Sequence, residues 1–191
     1  MSDPVAGVVL AGGRSRRMGI AKPLLPHPDG GTFLSRALRT LSQVTSFQIV
    51  AGYDAKLSAD CPSGVISLPD LRPGEGPLAG VEASLASRLA SGYLIMACDQ
   101  PLVGIFLLRR LLLHPKDKVC VFSLDDVIMP LPSFFPAMLL TAVEAALDEG
   151  QRSLSAFIRS QNLFRIPISG QEEEMIVNIN HPEDYRRLKQ S

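Results

Sequence analysis

Short apolar runs alternate with amphipathic stretches along almost the whole chain. Val5–Leu10 is apolar apart from one glycine and is closed by Ala11-Gly12-Gly13, the signature of a buried strand running into a loop. Over residues 33–44 the apolar positions Phe33, Leu34, Ala37, Leu38 and Leu41 recur at helical spacing, which predicts a helix with one buried stripe. Phe47–Ala51 and residues 65–68 read as second and third strands, ended by Gly52 and Pro69. Pro77, whose fixed φ suits a first helical turn, opens a helix expected to reach residue 90. A strand at 93–97, a helix at 104–113 and a strand at 118–123 follow. Residues 127–132 are broken by Pro130 and Pro132; proline donates nothing to a ladder, so this stretch predicts an edge strand or a hairpin arm. Helices over 136–147 and 153–160, the second begun by a Ser153 cap, a late strand at 163–168 and a helix at 182–189 complete the pattern.

Strand–helix alternation with near-continuous apolar strands implies an α/β fold: a mostly parallel sheet covered by helices on both faces. A chain of 191 residues suits one such domain, and 46% hydrophobic against 20% charged residues supplies a substantial core and excludes disorder. Nineteen basic residues balance nineteen acidic ones, without the basic excess of a nucleic-acid binder, so a small-molecule partner is expected. Cys61, Cys98 and Cys120 show no Cys-x-x-Cys spacing, which argues against a disulfide framework or a zinc site and fits a reducing compartment. The most apolar stretch, 102–113, is interrupted by Arg109 and Arg110 and cannot span a bilayer, and Met1-Ser2-Asp3-Pro4 lacks the basic region of a signal peptide. The expectation is a cytoplasmic protein with no membrane partner.

In open sheets of this kind, ligands bind beyond the carboxyl ends of the strands. Three elements with chemical potential fall there. The first is Leu10-Ala11-Gly12-Gly13-Arg14-Ser15-Arg16-Arg17-Met18-Gly19, followed by Lys22. Its glycines let backbone N–H groups approach an anion, and four cations within nine residues suit a triphosphate. It is neither a Walker A loop nor a Gly-x-Gly-x-x-Gly fingerprint. The second is Asp99, a carboxylate at the end of an apolar strand, which is costly unless paired and fits a hard oxygen ligand for Mg²⁺; a turn-forming Asp before Pro101 fits as well. The third is Asp70, in the Gly/Pro-rich segment that ends at the helix begun by Pro77, where an ordinary turn is an equal alternative. His27, His114 and His181 are scattered, and His27 and His114 each precede a proline, which places them at the surface. No Ser–His–Asp or Cys–His arrangement can be assembled. A nucleophile that is already an anion needs no base, and a phosphate monoester, with a second pKa of about 6, is one. Positioning and charge neutralisation are then what the protein supplies.

Taken together, Leu-Ala-Gly-Gly-x-Ser-x-Arg-Met-Gly-x-x-Lys over 10–22 (with one extra arginine), Gly-Pro-Leu-Ala-Gly over 76–80, Cys-Asp-x-Pro over 98–101 and Val-Asn-Ile-Asn-x-Pro-Glu-Asp over 177–184 resemble the molybdenum cofactor guanylyltransferase family of the nucleotidyltransferase superfamily. The first hundred residues match well. The stretch 105–175 matches in outline, through Met129-Pro130-Leu131 and Gly150-Gln151-Arg152-Ser153-Leu154.

The resemblance implies a single Rossmann-like three-layer sandwich of the nucleotide-diphospho-sugar transferase type, with a nucleotide-binding half at about 1–104 and an acceptor-binding half at about 105–191. It implies that the terminal phosphate of molybdopterin bearing molybdenum attacks the α-phosphorus of GTP, releasing pyrophosphate and forming the guanine dinucleotide cofactor. It places Leu10, Ala11, Gly12 and Gly13 against the nucleotide, Arg14, Arg17 and Lys22 against the phosphates, Asp70 on the nucleoside side, Asp99 on Mg²⁺, and Asn178 and Asn180 toward the pterin-binding half. Lys22, Arg17 and Asp99 are the expected catalytic set. GTP and molybdopterin are the implied partners, with transient contact to molybdoenzyme maturation proteins. Two positions depart from the family: Ala21 stands where it usually carries Asp, and Ala51-Gly52 where it often has Asn. The related cytidylyltransferases tend to read Ala-Ala-Gly where this chain has Ala11-Gly12-Gly13, which favours guanine. A sugar-phosphate nucleotidyltransferase, usually longer and without the Asn-x-Asn-x-Pro ending, and a nucleotide-binding protein without turnover are the remaining alternatives.

Overall fold

The computed structural model describes residues 4–12, 21–52 and 61–190. Seven strands among these residues form one sheet: β1 (Val5–Leu10), β2 (Phe47–Ala51), β3 (Ile66–Leu68), β4 (Gly92–Ala97), β5 (Val119–Leu124), β6 (Val127–Pro136) and β7 (Leu163–Pro167), in the order β3-β2-β1-β4-β6-β5-β7. Every neighbouring pair is parallel except the two that β6 makes, with β4 and with β5.

Alternation along each strand divides the core in two. Val9 of β1 and Leu94 and Met96 of β4 face one side, where α1 (Phe33–Ser42) and α3 (Ile105–Leu112) cover them with Leu34, Leu38, Leu41, Leu107, Leu108 and Leu111. Ala6, Val8 and Leu10 of β1 and Tyr93 and Ile95 of β4 face the other, against α2 (Pro77–Ala86), α4 (Leu140–Asp148) and α5 (Leu154–Ser160). This is the expected three-layer sandwich, and each fully buried Leu or Ile contributes roughly 1.5–3 kcal/mol of transfer free energy. Among the described residues no helix is long and apolar enough to cross a membrane. Two further helices, α6 (Gly170–Glu174) and α7 (Pro182–Leu188), close the described chain.

The structure redraws three of the expected elements. β6 is a hairpin arm with β5, as expected, but it is an interior strand between β4 and β5 and runs on to Pro136. Its register against β5 slips: Val121 faces Ser133 while Phe122 faces Met129, so residues 130–132 bulge out of that ladder. Pairing with β4 begins only at Ser133. Pro130 and Pro132 therefore sit where no ladder bond needs their missing N–H. Because Pro136 stays in the strand opposite Gly92, the next helix starts only at Leu140, after a short 3-10 turn. The helix begun by Pro77 stops at Ala86 rather than 90, since Arg88 takes a left-handed φ of 53°. Unforeseen was α6, although Ser169 and Glu172 form a capping box at its start, a pattern readable in the sequence.

Candidate active site

The carboxyl ends of β1, β2, β3 and β4 meet at one edge of the sheet, and those of β1, β3 and β4 each lead into a candidate. Parallel pairing continues just past β1, where the Ala11 N–H donates to the Ala51 carbonyl at 2.9 Å and the Cys98 N–H to the Leu10 carbonyl at 3.3 Å. There the backbone of Gly12 lies against that of Gly52. Gly52 has φ +74°, and a Cβ on it would stand 2.6 Å from both N and Cα of Gly12. The close backbone contact leaves no room for a side chain at Gly52. Asp70 covers the pair: its carboxylate oxygens lie 3.4 Å from where a Cβ would stand on Gly12 and on Gly52, and 3.7 Å from the same point on Gly80. Burial raises the Asp70 pKa above the ordinary carboxylate value.

Asp99 follows β4, and Lys22 opens a 3-10 turn, Lys22–Leu24, whose Pro23 sits at its start. The Lys22 ammonium donates to Asp99 Oδ2 at 2.7 Å and to Asn180 Oδ1 at 2.5 Å. The Lys22 and Asp99 side chains are 19% and 13% exposed, so the pair is largely withdrawn from water yet still reachable from the cleft. Asn180, expected toward the pterin half, thus places its side chain oxygen on the lysine that also holds Asp99.

Three devices bring these distant residues together. Leu25, Phe33, Ile179 and Leu188 form a small separate core, against which Tyr185 packs while its hydroxyl donates to the Pro26 carbonyl at 2.7 Å. The Ile179 N–H donates to the Asp99 carbonyl at 2.8 Å. The Asp184 carboxylate accepts the N–H groups of Asn180 and His181 at 3.0 and 2.9 Å, capping α7 and fixing the turn that presents Asn180. Those bonds hold the Asp184 pKa below its ordinary value, the His181 N–H being the larger cause.

A cleft of about 500 Å³ opens over this edge. Leu10, Ala11, Gly12, Lys22, Asp99 and Asn178 line it, as expected from the motifs. Asp70 is not in its lining but backs it from behind Gly12. Gly13, Arg14 and Arg17 lie outside the described residues. The opposite wall was largely missed: Pro130 and Leu131 from the β6 bulge, and Arg152, Ser153 and Ser155 at the start of α5. The Gly-Gln-Arg-Ser-Leu outline pointed to that segment without marking its side chains as part of the site. Arg152 also pairs with Glu75, while Arg72 binds Glu82 at 2.9 Å and Asp148 at 2.5 Å. These arginines fasten the loop over 70–76 to α2, to the end of α4 and to the residues just before α5. A further cleft of about 510 Å³, along α1, contains none of the candidates.

The histidines correct the sequence reading. His27 is buried, with its side chain only 4% exposed and its ring edge-on to Phe33 at 6.0 Å. His114 is half-buried and stacks on Phe164 at 4.6 Å. Neither lines the cleft. Cys98 does, but burial, reinforced by the Asp99 charge, pushes its thiol up to about 12, which leaves no thiolate nucleophile. Charge handling, not a side-chain nucleophile, is what this site provides.

A three-layer sandwich with a cation–carboxylate pair in a cleft at the carboxyl edge of its sheet fits the nucleotidyltransferase class. The comparisons agree in fold and in sequence. Residues 7–164 match the model of the MobA-like NTP transferase domain, and the chain belongs to that family. A Xanthomonas euvesicatoria protein named molybdenum cofactor guanylyltransferase is 32% identical over 98% of this chain and 96% of its own. A Rhodopirellula baltica protein named "probable molybdenum cofactor guanylyltransferase" is 32% identical over 95% of this chain and 90% of its own. The crystal structure of molybdopterin-guanine dinucleotide biosynthesis protein A from Archaeoglobus fulgidus has the same fold, with a TM-score of 0.78, 24% identity and 97% of each chain covered.

Proposed function

We propose that this enzyme transfers GMP from GTP to the terminal phosphate of molybdopterin bearing molybdenum, forming the guanine dinucleotide cofactor and releasing pyrophosphate. The observation that carries the reading is the Lys22–Asp99–Asn180 cluster at the carboxyl edge of the sheet, whose lysine and aspartate line the cleft while Asn180 holds the lysine from outside its lining. The names of the relatives support the choice of guanine and of the pterin. One bond forms, between an acceptor phosphate oxygen and the α-phosphorus, and one breaks, to the β-phosphate bridging oxygen. The acceptor monoester is already anionic near neutral pH, so no residue has to remove a proton.

In this reading, backbone groups at Leu10, Ala11 and Gly12 face the guanine, and Asp70 stands behind them on the nucleoside side. Lys22, with Arg14, Arg16 and Arg17, opposes charge on the departing pyrophosphate. The nucleotide half spans about 1–104 and the acceptor half about 105–191. Among the described residues no three His, Cys, Asp or Glu side chains cluster as a metal cage. Mg²⁺ is typically held by one or two carboxylates, with substrate phosphates and water completing its shell. Asp99 fits as the carboxylate, with Asn178 a neutral oxygen donor lining the same cleft. When bound, Mg²⁺ supplies positive charge against the triphosphate. The setting is cytoplasmic, with hand-over of the product to molybdoenzyme maturation proteins.

The test is pyrophosphate release on mixing the enzyme, molybdopterin, Mg²⁺ and each nucleoside triphosphate in turn. GTP is expected to turn over at least about a hundredfold faster than CTP, because a site that pairs one base edge leaves polar groups unpaired with another. Faster release from CTP would replace guanylyl by cytidylyl transfer; release from no nucleotide would remove the activity altogether.

A further inference from the structure

Gln100 occupies the variable position of the Cys-Asp-x-Pro motif, next to Asp99, yet it is the more buried of the two, only 3% exposed. A carboxamide has one oxygen acceptor and two N–H donors, and Gln100 uses all of them within the protein. Its Oε1 accepts the Ala97 N–H at 3.3 Å. Its Nε2 donates to the Leu131 carbonyl and to the Ile176 carbonyl, each at 2.9 Å. These partners belong to three separate segments: the end of β4, the bulge of β6, and the approach to the Asn178-Ile179-Asn180 motif. The adjoining carbonyl, that of Asp99, accepts the Ile179 N–H at 2.8 Å. Residues 99–100 are therefore tied to residues 176–179 at two points, one by main chain and one by side chain. No other side chain reproduces the second tie: Glu lacks the donors, Lys the acceptor, and Met both.

The consequence falls on the cleft. Leu131 is a wall residue, and Asn178 and Asn180 are two and four positions beyond Ile176. We infer that Gln100 is a positioning residue for the transfer reaction: its amide sets Asp99 at a fixed distance from the Asn178–Asn180 segment, and so from the Lys22 ammonium that both share. Its effect is exerted through these residues, since Gln100 itself does not line the cleft. A displacement of about 1 Å between reacting groups is enough to cost on the order of a hundredfold in rate. The inference rests on the proposed guanylyl transfer for its kinetic readout, and on hydrogen exchange for a readout independent of it.

The experiment compares wild type, Gln100→Met, Asn180→Ala and the double variant. In Gln100→Met, kcat should fall about 10- to 100-fold while the KM for GTP changes by less than about threefold, because binding of the nucleotide half is left intact. If Gln100 acts through the asparagine segment, the double variant should be hardly slower than Asn180→Ala alone. The Ile179 amide should exchange with solvent at least about tenfold faster in Gln100→Met than in wild type. Wild-type kcat in a folded Gln100→Met, or losses that multiply in the double variant, overturn the inference. If Gln100→Met does not fold, Gln100→Asn, which keeps the amide one methylene short, enters the same cycle under the same criteria. A wild-type chain that transfers no nucleotide fails the functional reading instead. Gln100 is then judged on the Ile179 amide, and unchanged exchange overturns its role.

Discussion

Lys22 and Asp99 are 77 positions apart in sequence and 2.7 Å apart in space, with only a fraction of either side chain open to water. Removing one member of such a pair leaves the other charge partly buried without its partner, which costs more than the pair itself contributes. Lys22→Ala is therefore expected to lower stability by about 1–3 kcal/mol and to reduce kcat/KM for GTP by about 10²–10³-fold, as the loss of a charge-stabilising donor does. Asp99→Asn keeps the shape but brings no charge to a metal, so it should fold and lose Mg²⁺-dependent turnover by a similar factor. Arg159→Ala, at an exposed position in the last turn of α5, serves as the control and should change stability by less than about 0.5 kcal/mol and kcat/KM by less than about twofold. Thermal melts beside steady-state kinetics separate the two effects, and equal behaviour of Lys22→Ala and Arg159→Ala would remove the lysine from the mechanism. Both residues were legible in the sequence because charge at the end of an apolar strand or in a Gly-rich loop is conspicuous. Their mutual contact was not, and neither was the part of Gln100; Asn180 was marked by the Asn-x-Asn-x-Pro motif, but its place on Lys22 was not, since an amide's partners are unknown until the chain is folded.

At the scale of elements, the first two strand ends are set by glycines that behave differently. Gly12 is not in the left-handed region, and a Cβ on it would meet Asp70 Oδ2 and the Gly52 Cα at 3.4 Å, the edge of ordinary contact. Gly52 is left-handed, and its Cβ would collide with the Gly12 backbone at 2.6 Å. Gly12→Ala should thus cost less than about 1 kcal/mol of stability while changing the shape of the cleft wall, so that the KM for GTP rises. Gly52→Ala should cost about 1–3 kcal/mol or more, through backbone strain and the displaced strand end. Urea unfolding of the two variants decides the matter, and equal midpoints would mean that the two backbones are not locked together. The periodic elements were the part of the fold most open to reading: α1, β1, β2 and β4 stand within a few residues of where the pattern places them. β6 was not, because a proline tells only that an N–H is missing, and whether a ladder needs that N–H depends on the register of the neighbouring strands.

For the molecule as a whole, the seam between residues 22–32, the Asp99 loop and α7 holds the segments of the site together, and His27 lies beside it. Burial foremost, and the Arg36 charge second, hold its pKa below 6.5; Asp29 and the Pro101 carbonyl act in the opposite sense. The unfolded chain takes up this proton first as pH falls, so the contribution of His27 is complete above about pH 6.5 and is lost progressively below it, down to the depressed folded value. His27→Asn retains an acceptor for the Asp29 N–H, which His27 Nδ1 now receives at 3.1 Å, but cannot titrate. Between pH 7.5 and 5.5 wild type is expected to lose stability relative to this variant, by at most about 1.4 kcal/mol per pH unit. Parallel melting curves against pH would exclude the histidine as the cause. That His27 is buried at all was hidden from the sequence, where His-Pro in a loop reads as surface; its ring packs edge-on against Phe33 of α1, and Tyr185 of α7 ties down the adjoining Pro26. By itself the amino-acid sequence determined the strand–helix alternation, the two-sided sheet and the edge at which the chemistry gathers, because hydrophobic period, glycine and proline act locally. Only the tertiary structure decided that β6 lies inside the sheet, that Gly52 must be a glycine, and that Lys22, Asp99, Gln100 and Asn180 form one cluster. Each of these depends on contacts between segments distant along the chain, and a hydrogen bond or a steric limit has no meaning until its second partner is in place.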